Sequence, residues 1–191
     1  MTDDLADLLR DQHAEMRDLL ARLALQPAVT EHVQGPQLRA RRRLIIDIQR
    51  TFLAQETARL RHLWPALRAA WPDGRVYTSE ARTKGRVVEY LFAKRQWFEE
   101  RDGAANDLED QIASHIEDLL VAEARHLPRL DGPARRTGID TTTVARRMQR
   151  AAPCPTRPHP DLPRSHALAS LLLRPLSVTD RVLDHCSRAT E

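Results

Sequence analysis

Leu8-Leu9-Arg10-Asp11-Gln12-His13-Ala14-Glu15-Met16-Arg17-Asp18-Leu19-Leu20 places apolar residues three and four apart, with charged residues between them. That spacing returns a side chain to one face of an α-helix at every turn. Leu5 and Leu23 extend the stripe, so the pattern predicts an amphipathic helix over about 3–26, with Asp3 and Asp4 at its positive end. A His on the apolar side of this helix, His13, is the first sign of something polar inside the fold.

Three further helices follow from the same reading. Pro27 and Gly35-Pro36 bound a loop, after which Ile45, Ile48, Phe52, Leu60, Leu63 and Leu67 line one stripe over about 37–70, interrupted by Glu56. Pro65 is expected to kink or end the regular part. Trp71-Pro72-Asp73-Gly74 reads as a turn, and Ser79 with Glu80 opens a third helix over about 79–101 carrying Val88, Leu91, Phe92 and Phe98. Asp102-Gly103 breaks it. The fourth, about 104–127, carries Leu108, Ile112, Ile116, Leu119, Leu120 and Leu127 and closes at Pro128. Arg61-His62-Leu63-Trp64-Pro65-Ala66-Leu67 and Arg125-His126-Leu127-Pro128-Arg129-Leu130 end the second and fourth segments alike, as two related helical halves would. No alternating strand pattern occurs. The expectation is an all-α, up-down-up-down four-helix bundle over residues 1–130.

Residues 131–191 differ in character. Pro153, Pro155, Pro158, Pro160 and Pro163 rule out a helix there and predict a Pro-rich extended linker. Beyond it, Ala167 to Leu173 and Val178 to His185 are expected to form short helices in a C-terminal tail that packs on the bundle.

A chain of 191 residues can bury a core without covalent staples. Cys154 and Cys186, far apart and in Pro-rich or terminal surroundings, do not make a secreted disulfide framework and read as reduced thiols. No run of eighteen apolar residues is present, and the acidic start Met1-Thr2-Asp3-Asp4 is unlike a signal peptide, so a cytoplasmic protein without a membrane span is expected. A formal charge of +3 among 30% charged residues gives a modest overall field. Arg39, Arg41, Arg42 and Arg43, with Arg135-Arg136 and Arg146-Arg147, form basic clusters, read as a solvated helix start and a basic tail. Without a recognition helix or stacking aromatics, nucleic acid is a distant choice of partner.

The helix-one phrase Leu8 to Leu20, the closures Leu63-Trp64-Pro65-Ala66-Leu67 and Leu127-Pro128-Arg129-Leu130, and the tail phrase Thr156-Arg157-Pro158-His159-Pro160 with Asp180-Arg181 resemble the hemerythrin-like (HHE cation-binding) proteins of actinobacterial type. The resemblance covers roughly residues 5–130. It implies a bundle holding a pair of non-haem irons through His and carboxylate ligands, with oxygen or nitric oxide binding, redox sensing or iron storage as the activity. His13 matches the family's helix-one ligand. The helix-two His-x-x-x-Glu pattern falls on Gln55 and Arg59, and the helix-three His falls on Gly85. The helix-four pattern falls on Asp118 and Ala122, or on Leu119 and Glu123 one residue later. Iron calls for neutral imidazole and anionic carboxylate, whereas Arg59 carries a charge it does not lose.

Two expectations therefore stand side by side. In one, His13, Glu56, His115 and Glu123 hold iron through an altered shell. In the other, no metal is bound, and His13, Gln55, Glu56 and Arg59 form a polar core network, His13 bonding a neighbour such as Gln55 and Glu56 pairing with Arg59 or Arg95. The bundle then serves as an interaction module or takes a small ligand or substrate. His115 lies about two turns from Glu123, roughly 12 Å at the helical rise, too far to share one ion. His62 and His126 are expected to meet the last carbonyls of their helices, and Trp64, Trp71 and Trp97 to pack. No nucleophile triad, phosphate loop or nucleotide fingerprint marks an enzyme, and a buried Glu beside His and Arg leaves acid–base chemistry open.

Overall fold

The computed structural model describes residues 4–28, 35–96, 103–130 and 138–151, and among them every regular element is helical. Helix α1 (Leu5–Ala24) starts at Asp4, whose carboxylate accepts the Ala6 N–H at 2.8 Å and so satisfies a donor of the first turn. Helix α2 (Gly35–Ala58) runs through a π-turn (Arg59–Leu63) into α3 (Trp64–Ala70) without a break. The regular α-helix of α2 gives way to the π-turn at Arg59, as expected near Pro65, but Pro65 does not stop the helical run. It lies in the first turn of α3, where a missing N–H leaves no bond unmade, and the preceding π-turn takes up the misfit, the Trp64 N–H reaching back to Arg59 O.

Helix α4 (Gly74–Arg95) opens earlier than Ser79, immediately after the Trp71-Pro72-Asp73 turn. The tight connection is possible because residue 74 has no side chain: a Cβ there would stand 2.2 Å from Leu67 O. Gly74→Ala is expected to lower stability by about 1–3 kcal/mol, the cost of pushing two backbones apart. Urea unfolding checks this, and an unchanged midpoint would show that the turn has slack. Helix α5 (Gly103–Ala124) is followed by a 3₁₀ turn (Leu127–Arg129), and α6 (Thr141–Arg150) is capped by Asp140, which accepts the Thr143 N–H at 2.9 Å.

Helix α4 lies along α5, α1 packs on α2, and α3 packs on α4. Apolar side chains gather in two clusters. One joins Leu5, Leu9, Leu63, Trp64, Leu67, Trp71, Tyr77 and Leu127. The other joins Met16, Leu20, Ile48, Phe52, Val88, Phe92, Ile112, Ile116 and Leu119. Helix α6 was not expected from the sequence. It sits on α1, α2 and the π-turn, and adds Val144, Ala145 and Met148 to the first cluster. The start of the Pro-rich extension thus contributes to the core, in the same cluster as Ala58. The later tail, including the two helices expected there, both cysteines and the phrase at 156–160, lies outside the described residues, as do Trp97 and Phe98. No helix among the described residues is long and apolar enough to cross a membrane.

Candidate functional site: a buried polar layer

Each of the four long helices changes character at one level, between the two apolar clusters. On α1, His13 comes between Leu9 and Met16. On α2, Gln55 and Glu56 come between Phe52 and Ala58. On α4, Gly85 comes between Ala81 and Val88, and on α5, Glu123 comes between Leu120 and Leu127. Helical periodicity brings these positions inward as surely as it does their apolar neighbours. The result is a polar layer sandwiched in hydrocarbon, where charges must find partners.

Glu123 is the hub. Its Oε2 lies 2.9 Å from His13 Nε2, and an ionised carboxylate only accepts, so Nε2 carries the proton. Its Oε1 lies 3.2 Å from Nε of Arg59, a guanidinium with 1% exposure. That contact is an ion pair with poor hydrogen-bond alignment: Arg59 Nε and Nη2 and Glu123 Oε1 all lack a hydrogen-bond partner. Burial pushes the Glu123 carboxyl up, but the Arg59 charge and the His13 hydrogen bond outweigh it and hold Glu123 below the usual carboxylate range.

Glu56 behaves in the opposite way. It is fully enclosed, its Oε1 accepting a long 3.5 Å bond from Trp64 Nε1–H and its Oε2 unpartnered. Burial pushes it to about 7, the Arg59 charge opposing and the Glu123 and Glu89 charges adding to the rise. Gly85 makes room for it: a Cβ at 85 would stand 3.3 Å from Glu56 Cδ and Oε1. Tyr77 is pushed well up, first by burial and then by Glu123, so its hydroxyl keeps its proton. The layer therefore sets one ionised carboxylate, paired, beside one that holds its proton near neutrality.

Of the residues expected at a site, the structure brings His13, Glu56, Arg59 and Glu123 together. Gln55 is buried, but its Nε2 donates to Glu15 Oε2 at 3.1 Å and Gln12 O at 3.4 Å, so His13 bonds Glu123 in its place. His115 is corrected: it is exposed, because the inward stripe of α5 runs through Ile112, Ile116, Leu119 and Glu123. Of the two registers open on helix four, Glu123 is the inward residue, while Asp118 is exposed. His126 packs at a tilt against Tyr77, ring centres 4.1 Å apart, and beside it Arg129 lies 3.9 Å over Trp71 while making two 2.9 Å bonds to Asp73. Burial, then Arg129, holds the His126 imidazole below its ordinary value. His62 shifts the same way, through partial burial and then Arg147 of α6.

A second buried ionic cluster was missed. Arg41, expected on a solvated face, is buried and donates from Nε to Glu109 Oε2 at 2.6 Å, while Arg95 Nε donates to Glu109 Oε1 at 2.8 Å. Arg41 also reaches the carbonyls of Gln26 and Pro27, pinning the start of the α1–α2 connection. The signal was present in the sequence. Arg41 precedes Ile45 and Ile48 on their stripe, and Glu109 precedes Ile112 and Ile116 on theirs, so each is a charge at a core position.

The donor set does not fit the paired iron centre that the resemblance implies. Gly85 offers no donor, His115 faces solvent, and Glu123 is already engaged by both His13 and the Arg59 guanidinium, which repels a cation. Among the described residues no three His, Cys, Asp or Glu side chains gather as metal ligands. Comparison with known proteins brings no match: no family model, no curated protein and no solved structure matches the chain.

Proposed function

We propose that this chain is a hemerythrin-like, up-down-up-down four-helix bundle, working in the cytoplasm, in which a protein ion-pair network stands where the family carries metal. Its role is metal-independent binding of a small molecule in the polar layer. The observation that carries this reading is the Arg59 guanidinium, 1% exposed and paired to Glu123 between two apolar clusters. A fixed cation at that place disfavours a second cation by direct repulsion in a poorly screened interior. Glu56 Oε2 and Arg59 Nη2, buried and without a hydrogen-bond partner, support the binding role, since buried polar atoms call for a partner.

Protein purified from iron-supplemented cells should be colourless and folded, with iron far below one per chain. Elemental analysis with a visible absorption spectrum decides it. Near-stoichiometric iron with a charge-transfer band would overturn the reading and favour the oxygen-binding or redox role instead.

A further inference from the structure

Of the five large apolar side chains exposed among the described residues, four lie on α4 and α5: Val76, Val87, Tyr90 and Val121. On α4 they recur at helical spacing with Thr83 and Lys94, as one row along the outer side. On α5 the outer row is Asp110, Ser114, Asp118 and Val121, all exposed. Helix α6 packs on α1, α2 and the π-turn, and leaves this side open.

The two rows carry opposite charge. Helix α5 contains no Lys or Arg from Gly103 to Ala124, and Asp107, Asp110 and Asp118 stand exposed on it. Helix α4 carries Arg75, Arg82, Lys84, Arg86 and Lys94 against Glu80 and Glu89. Among the described residues no ion pair or hydrogen bond engages Lys94, Asp110 or Asp118.

Three contacts fix how the two helices are aligned: Asp73 holds Arg129, Tyr77 lies against His126, and Arg95 reaches Glu109. Equal rise on antiparallel helices, counted from the last of these, sets Lys94 level with Asp110, Arg86 with Asp118 and Thr83 with Val121.

A second copy of the chain fits this pattern. A two-fold axis lying at the surface between α4 and α5, parallel to both, sets α4 of one protomer on α5 of the other at the same level. Basic then meets acidic in both halves of the contact, Lys94 of each protomer against Asp110 of the other, with Val87, Tyr90 and Val121 along the middle. An axis across the helices sets α4 on α4 and α5 on α5, where like charges oppose the contact.

We infer that the chain pairs with a second copy of itself through the outer side of α4 and α5, α4 of each protomer lying on α5 of the other. Two helices of 22 residues side by side offer about 600–700 Å² per protomer, the low end of what a stable contact needs. Pairing is therefore weak, with a dissociation constant of roughly micromolar order. The inference is independent of what the polar layer holds.

Sedimentation velocity of the full chain, from about 1 µM to about 1 mM, should show a reversible monomer–dimer change that weakens as salt is raised. Asp110→Lys and Lys94→Asp should each raise the dissociation constant about tenfold or more, since each brings like charges together twice. The double variant should return it to within about threefold of the native value. Tyr90→Ala should weaken pairing about tenfold through lost apolar contact. All three positions are exposed, so the circular dichroism of each variant should stay native. A chain that stays monomeric throughout, whether its own tail covers the face or nothing does, would overturn the inference. So would a dimer that ignores these substitutions, or single variants that the double fails to rescue.

Discussion

Arg59→Met is expected to cost about 3–5 kcal/mol of stability, the largest effect of any single substitution in the layer. Removing the guanidinium leaves the Glu123 carboxylate enclosed with His13 alone, beside a Glu56 already pushed toward neutrality. The attraction between Arg59 and Glu123 is not itself the source of this figure; the penalty arises from a buried charge that has lost its counter-ion. The double variant Arg59→Met with Glu123→Leu should therefore recover most of the loss. Urea unfolding of the two singles and the double reads the coupling directly. Strictly additive losses would mean that the two charges do not compensate each other.

Glu56 should make the protein less stable as pH rises toward neutrality. The folded chain holds this proton up to about pH 7, whereas the unfolded chain releases it near 4.5. The stabilisation from this group is full below pH 4.5 and is lost as pH climbs through 7, by about 3 kcal/mol at most for a shift of that size. His62 and His126 act in the other sense: their depressed values give stability that is present above the ordinary His range and lost as pH falls through it. Both are only partly buried, so their effect is small. Glu89, raised by burial, follows Glu56. Subtracting the curve of Glu56→Gln from that of the native protein cancels these shared contributions. The difference should slope between pH 4.5 and 7 and flatten outside it; a level difference would place the Glu56 proton elsewhere.

The elements of the fold were legible because their cause is local. Leucine and isoleucine spacing marked α1, α2, α4 and α5, and the glycine and proline punctuation marked most of their ends. Pro65 misled only in part: the regular helix does give way ahead of it, but a widened turn lets the helical run continue past it. Helix α6 was missed because a ten-residue helix rich in Thr and Arg gains its stability from docking Val144, Ala145 and Met148.

The site was half legible. His13 and Glu56 stood out as polar residues on apolar stripes, Arg59 only through the ligand pattern of the resemblance, and two registers were open for helix four. Arg41 and Glu109 carried the same mark, but proximity to other arginines hid the first. His115 drew attention by residue type alone, and its position on α5 faces water.

The sequence by itself determined that the described chain is helical and that polar residues interrupt its apolar faces, because helical period and side-chain solubility are properties of neighbouring residues. Only the tertiary structure decided that Glu123 bonds His13 and faces Arg59, that Glu56 lies against Gly85 and Trp64, and that Arg41 shares Glu109 with Arg95. Those pairings join residues far apart in the chain, and a buried charge takes its partner from whichever helices the packing brings near.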